Sequence, residues 1–144
     1  MFICNHCPYV KAVNHKLVRE TTELKGMGVG SVAIMSNDVT QYPEDSLDNM
    51  RRVAVQMDYS FPYLIDETQQ VARAFGAVCT PDFFGYNASL ELQYRGRMDE
   101  SRPNRDTLDV RRDLFLAMKL VAETGSGPQD QVPSMGCSIK WRDA

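Results

Sequence analysis

The chain has 144 residues, 43% hydrophobic and 24% charged, which is the size and balance of a single globular domain with a full core. A formal charge of -3 and a pI near 5.3 argue against a nucleic-acid partner, which would select for a basic face. No apolar run approaches the ~20 residues of a membrane span, so no membrane partner is expected. A cytoplasmic location is expected, although the absence of a secretory signal does not decide it, since a leader would be lost with an absent N-terminal portion.

In chain order, Phe2-Ile3 leads directly into Cys4-Asn5-His6-Cys7-Pro8. Pro8 suits the first turn of a helix, where its missing donor costs nothing. Val10, Val13, Leu17 and Leu24 then recur at helical spacing, with Lys11, Lys16, Arg19, Glu20, Glu23 and Lys25 mostly on other faces. Gly26 and Gly28 stop this helix. Residues 29–35 read as a buried strand ending at Ser36-Asn37-Asp38, a strand-end loop on the side where α/β sheets carry their sites. Pro43-Glu44-Asp45 opens a second helix with Leu47, Met50, Ala54 and Met57 on one face. Residues 61–65 form a strand closed by Asp66. Asp66 caps a third helix with Val71, Ala72 and Phe75 inward and Gly76 as terminator.

Alternating strand and helix predicts an α/β fold with parallel pairing. After Thr80-Pro81 the pattern changes. Asp82 to Tyr86 and Leu90 to Arg95 predict a hairpin turning at Asn87-Ala88-Ser89, where the sequon is better read as a turn that needs Asn. Asp106 caps a last helix with the stripe Leu108, Leu114, Phe115, Met118, Val121 and Ala122. Residues 1–124 are thus expected to form the domain. The Gly-, Ser- and Pro-rich stretch from Gly125 is a linker, and the tail to residue 144 packs on the domain through Trp141. Met27, Met35, Met50, Met57 and Met118 fit core positions. Arg51-Arg52 and Arg111-Arg112 read as solvated faces and His15 as a surface residue. Glu91 and Asp99 lie near strand ends with nothing to pair them as acid and base.

Cys4, Cys7, Cys79 and Cys137 are too few and too unevenly placed for a disulfide scaffold. A CxxC at a helix start is a redox arrangement, because the free N–H groups of the first turn favour a thiolate. On this spacing Cys4 sits at the helix tip, partly exposed, and attacks a substrate disulfide. Cys7, one turn in and more buried, resolves the mixed disulfide. His6 between them tunes the thiolate. Thr80-Pro81, beginning a strand, is a candidate cis bond that docks an extended substrate. Cys79 reads as a small buried hydrophobe that becomes an auxiliary thiol if Pro81 faces the pair, and Cys137 as a thiol that resolves a disulfide, pins the tail or does nothing. The bland alternatives are an inert pair or half of a zinc site. Zinc would need two further ligands from His6, His15, Cys79 and Cys137, none in a second CxxC. No metal and no cofactor are expected.

The stretch Phe2-Ile3-Cys4-Asn5-His6-Cys7-Pro8-Tyr9-Val10-Lys11 resembles the active-site segment of thioredoxin-like proteins classed as alkyl hydroperoxide reductase/thiol-specific antioxidant (AhpC/TSA). The likeness runs through Ser36-Asn37-Asp38, Tyr42-Pro43-Glu44-Asp45-Ser46, Phe61-Pro62-Tyr63-Leu64 and Gly76-Ala77-Val78-Cys79-Thr80-Pro81-Asp82-Phe83. It continues in Tyr94-Arg95-Gly96-Arg97 and in the stretch from Pro133 to Trp141, so that it spans the chain. The resemblance implies a thioredoxin fold, a central mixed sheet flanked by helices, with N-terminal strands missing from this chain. It also implies Cys4 and Cys7 as the redox pair facing cis Pro81. True peroxiredoxins carry Thr or Ser three residues before a Cys-Pro. Here Cys4 holds that position, so the hydroxyl that orients a peroxide is absent.

The function expected is a thiol-disulfide oxidoreductase. The alternatives are a peroxiredoxin-like thiol peroxidase with antioxidant activity and a non-enzymatic metal-binding or interaction module. Expected partners are a protein or small-molecule disulfide or a peroxide, an external thiol reductant, and a second copy in a homodimer.

Overall fold

A computed structural model of the chain describes residues 1–105 and 109–143. Helix α1 (Pro8–Gly26) starts at a proline and buries Val10, Val13, Leu17 and Leu24, as their spacing predicts. Full burial of each such side chain contributes about 1.5–3 kcal/mol. It ends where the Met27 and Gly28 N–H groups turn back to Leu24 and Lys25 carbonyls, with Gly28 at φ +84°.

Strands β1 (Ala33–Met35) and β2 (Tyr63–Ile65) pair in parallel, Ala33 opposite Tyr63. Phe2 lies beside them, bridging to Ile34 in parallel and to Asp82 in antiparallel fashion. Backbone bonds from Ile3 to Ile34 (3.0 Å) and from Phe2 to Asp82 (2.9 Å) fix that position. Beyond it come β4 (Phe83–Tyr86) and β5 (Leu92–Gly96), an antiparallel hairpin with a bulge at Gly85/Tyr86. Side chains alternate between the two faces of this mixed sheet. Ile3, Ala33, Met35 and Phe83 join α1 and α4 (Asp113–Thr124) in the main core. Phe2, Ile34 and Phe84 join Ala72 of α3 (Gln70–Phe75) on the other face. Helices therefore cover both faces, and none among the described residues is long and apolar enough to cross a membrane.

A separate ladder carries the site. Strand β3 (Cys79–Thr80) pairs antiparallel with β6 (Cys137–Ser138), with Cys79 opposite Ser138 and Thr80 opposite Cys137. Ile139 N–H reaches the Val78 carbonyl, Lys140 N–H the Asn37 side chain, and Arg142 N–H the Gln69 side chain. Arg73 lies over the Trp141 ring. The residues after Gly136 are therefore held to the sheet end and to α3 by their own backbone.

Several elements differ from the sequence reading. The strand over 29–35 shrinks to β1. Pro43–Asp45 forms a separate 3-10 turn, and α2 (Leu47–Gln56) starts after Ser46, whose hydroxyl accepts from Asn49 N–H. Within α2 only Met50 is buried, and Leu47 is exposed. Met27 is also exposed, lying past the end of α1. Asp66 is not the N-cap of α3, which is Gln69 at φ 63°, yet its carboxylate accepts from both Val71 and Ala72 N–H. Val71 and Phe75 are exposed, although Phe75 still stacks edge-on with Phe2 and Phe84. Asp106 and Leu108 lie outside the described residues, and α4 begins only at Asp113, with Ala122 on its exposed side.

The largest correction concerns charge. Lys16 and Glu20, expected on the solvated side of α1, are buried. Arg112, read as solvated, lies against Glu20 (2.9 Å), Glu23 (3.0 Å) and the Phe115 ring. Lys16 meets Asp99 at 2.8 Å, with both side chains under a tenth exposed. The segment after β5 folds over this flank of α1, which helical spacing alone does not reveal.

Asp99→Ala is expected to lower stability by about 3 kcal/mol, because it strands a buried ammonium without its carboxylate. Burial pushes Asp99 up, but hydrogen bonds from Lys16 and Ser101 outweigh it and hold the carboxyl below its ordinary 3.8. The unfolded chain therefore binds this proton first. The contribution is complete above the ordinary value and is lost as pH falls through the folded one. Urea titrations across that acid window should show a flatter slope for Asp99→Asn than for the parent. Identical slopes would show that the pair does not set acid stability.

Candidate redox site

Cys7, not Cys4, is the N-cap of α1, with extended backbone at φ -66°, ψ 126°. Cys4 to His6 form the turn before the helix. The tip position expected for Cys4 is thus occupied by Cys7, because Pro8 can start the helix only at its own first turn. Both sulfur-bearing residues are buried, Cys4 2% and Cys7 0% exposed, so neither shows the partly exposed thiol expected of Cys4. Thr80 of β3 covers them. Its Oγ1 lies 3.5 Å from Cys4 Sγ, and its carbonyl oxygen lies 3.4 Å from Cys7 Sγ. The Thr80–Pro81 peptide is cis.

The two thiols are driven in opposite directions. A hydrogen bond from Cys4 holds Cys7 well below the ordinary thiol value; burial opposes this, and the Cys137 thiol and the Val10 N–H add to it. The Val10 amide is one of the free donors of the first helical turn, aimed at its N-cap. Cys4 is raised because its proton is shared with Cys7 and because it is buried; Asp45 adds its negative charge. The hydrogen bond between the two sulfurs thus favours the thiolate at Cys7 over one at Cys4.

Asp45, which the sequence reading used only to open a helix, is the buried anchor of this region at 0% exposure. It accepts from Asn5 N–H (2.7 Å) and from Asn37 Nδ2 (2.9 Å). His6 Nδ1 lies 2.7 Å from the same carboxylate. The contact lacks hydrogen-bond geometry, and this buried ring nitrogen has no hydrogen-bond partner among the described residues. His6 also stacks on Tyr42, with ring centroids 5.7 Å apart. The turn is pinned further by Tyr63 OH, which donates to Asn5 Oδ1 at 2.9 Å. The available signal for Asp45 was its place just after the strand-end loop at Ser36-Asn37-Asp38, from which Asn37 reaches it.

Ligand atoms of Cys4, His6 and Asp45 lie within 4.8 Å of one another, the one group of this kind among the described residues. A structural zinc site needs four donors. His15, Cys79 and Cys137 are not in the group. The Asp45 carboxylate already accepts two hydrogen bonds and the group offers three donors, so the set does not match a closed zinc site.

Of the auxiliary thiols, Cys137 faces the pair and Cys79 does not. Residues directly opposite in a ladder share a face, and neighbours along a strand alternate. Thr80 and Cys137 therefore point together toward α1, and Cys137 packs against the core that contains Cys4 and Cys7. Cys79 points the other way, and burial pushes it up to about 11.

A mixed sheet covered by helices, with a dithiol at a helix start against a short strand ending in proline, defines a thioredoxin-like protein. The chain belongs to the AhpC/TSA family, whose model matches residues 1–107, and members of that family carry out thiol-dependent redox chemistry. It superimposes on an uncharacterized conserved protein from Geobacillus kaustophilus with a TM-score of 0.94 at 50% identity, over 100% of this chain and 76% of that one. A hypothetical protein from Sinorhizobium meliloti 1021 gives a TM-score of 0.94 at 40% identity, over 99% of this chain and 78% of that one. No curated protein matches the chain.

Proposed function

We propose that the protein is a thiol-disulfide oxidoreductase that cycles Cys4 and Cys7 between dithiol and disulfide. The observation that carries this reading is geometric: Cys7 caps α1, and Thr80, which precedes cis Pro81, contacts the buried sulfurs of both Cys4 and Cys7. The thiolate is the nucleophile in disulfide exchange. The roles suggested by spacing are accordingly reversed. Cys7 attacks a substrate disulfide, and Cys4, held over it by Thr80, gives up its proton and resolves the mixed disulfide. His6, oriented by Asp45, positions the turn that carries Cys4. The cis Pro81 segment is assigned to dock the substrate backbone. Stabilising the thiolate stabilises the reduced form, which makes the disulfide the more oxidising.

A second reading is supported by the burial of Cys7. A thiolate with no exposed surface admits a hydroperoxide more readily than a folded protein disulfide, and Cys7-Pro8 occupies the cysteine–proline position of the peroxiredoxin pattern. In this reading Cys7 is oxidised by peroxide and Cys4 condenses with it.

Two assays with the reduced protein separate the readings. Insulin-disulfide reduction in dithiothreitol that disappears in both Cys7→Ser and Cys4→Ser supports the dithiol oxidoreductase. Prompt peroxide consumption, lost in Cys7→Ser and retained in Cys4→Ser, supports the peroxidase instead. Stoichiometric zinc with neither activity overturns both.

A further inference from the structure

We propose that Cys137 is a third exchanging thiol, which takes the disulfide from Cys4–Cys7 and presents it to the reductant at the edge of the site. The proposal rests on the Cys4–Cys7 reading and adds to it the route by which the pair is reset.

Three geometric facts place Cys137 there. It stands opposite Thr80 in the β3–β6 ladder, on the face that Thr80 turns to both sulfurs. It packs against the same core as Cys4 and Cys7. Of these three thiols it alone is only partly buried. Cys4 and Cys137 therefore both lie against Cys7, and a reductant that approaches the buried pair finds its exposed sulfur only at Cys137. Gly136 allows the approach, since a Cβ there would lie 2.0 Å from the Thr80 carbonyl oxygen. Burial, together with the Cys7 thiolate, pushes Cys137 up to about 11. Once Cys7 is bonded to Cys4, the part of that rise due to the Cys7 thiolate is gone and the larger part due to burial remains.

In the first step the Cys137 thiolate attacks Cys7 Sγ. The Cys7–Cys137 bond forms, the Cys4–Cys7 bond breaks, and Cys4 leaves as a thiolate that takes up the proton Cys137 lost. No net oxidation occurs. In the second step an external dithiol attacks the Cys137 sulfur and Cys7 leaves as its thiolate. The second thiol of the reductant then displaces Cys137. Two electrons pass from the dithiol, which ends as a disulfide; one of its protons goes to Cys137 and the other to solvent.

The test is disulfide mapping of the full chain after one equivalent of hydrogen peroxide, acid quench, alkylation and non-reducing digestion. Wild type is expected to yield Cys4–Cys7 with a Cys7–Cys137 fraction, and Cys4→Ser to yield Cys7–Cys137 as its main product. In stopped-flow reduction by dithiothreitol, oxidised Cys137→Ser should be reset at least roughly tenfold more slowly than wild type. Cys4–Cys7 in wild type with no Cys7–Cys137 link there or in Cys4→Ser overturns the relay and leaves the dithiol reading standing. No intramolecular disulfide in any form overturns both. Should Cys4→Ser not fold by circular dichroism, the wild-type map decides alone. A Cys137 link only between two copies overturns the relay.

Discussion

Cys7→Ser is expected to lower turnover by roughly a thousandfold or more, because it removes the one sulfur that both readings require as nucleophile. The informative comparison is with two replacements of its partner. Cys4→Ser keeps an O–H donor beside Cys7, whereas Cys4→Ala removes it. The largest influence holding Cys7 down is the hydrogen bond from Cys4, ahead of the opposing burial. Ionisation of Cys7 can be followed by ultraviolet thiolate absorbance in a background that also carries Cys79→Ser and Cys137→Ser. Its midpoint should lie below the usual ~8.5 of a free thiol when Cys4 is intact and in Cys4→Ser. It should rise in Cys4→Ala, where burial is no longer offset by that donor. The rate at which iodoacetamide alkylates reduced Cys7 at fixed neutral pH should fall in the same order, since the thiolate fraction falls with it. A midpoint unmoved by Cys4→Ala would assign the lowering to the helix start alone and show that Cys4 does not hold the shared proton.

The order of the two cysteines shows where the sequence was legible and where it was not. The residue pattern located the dithiol, because CxxC before an apolar helical stripe has a local physical meaning. It also located the hairpin at Asn87, whose side chain accepts from Ser89 and Glu91 N–H, and the α/β alternation. Which sulfur caps α1 depends on where the helix starts, and Pro8 was a sufficient clue: a proline at the first helical position puts the preceding residue at the cap. The exposure of Cys4 could not be read locally, since the cover comes from Thr80, 76 positions away. The buried Lys16–Asp99 pair escaped for the same reason, its partners lying 83 positions apart. Asp45 was hidden differently. An acid beside a proline is a helix-start signal, and only the fold brings Asn5, His6 and Asn37 onto its carboxylate. Local chemistry was legible, and whatever depended on a distant strand closing over α1 was not.

Gly136→Ala is expected to be strongly destabilising, costing about 3 kcal/mol. The added Cβ would stand 2.0 Å from the Thr80 carbonyl oxygen, 2.6 Å from its carbon and 3.1 Å from Pro81 N. All three obstacles are backbone atoms, so no side-chain rotation relieves them, in contrast to Gly85, where the nearest atom is the flexible Met118 sulfur. The clash can be released only by parting β6 from β3. That separation would carry Cys137 away from Cys7 and withdraw the strand that holds Thr80 over both sulfurs. Two readouts should therefore move together. The urea midpoint should drop, and the Cys7–Cys137 link should disappear from the disulfide map under conditions where the variant is still folded. Gly26→Ala is the matched control, because nothing lies within 4 Å of a Cβ at that position, and it should leave both readouts near wild type. A Gly136→Ala protein as stable as its parent, with the link intact, would show that β6 does not approach Thr80 as closely as the ladder requires. The coupling of the tail to the redox site would then fail with it.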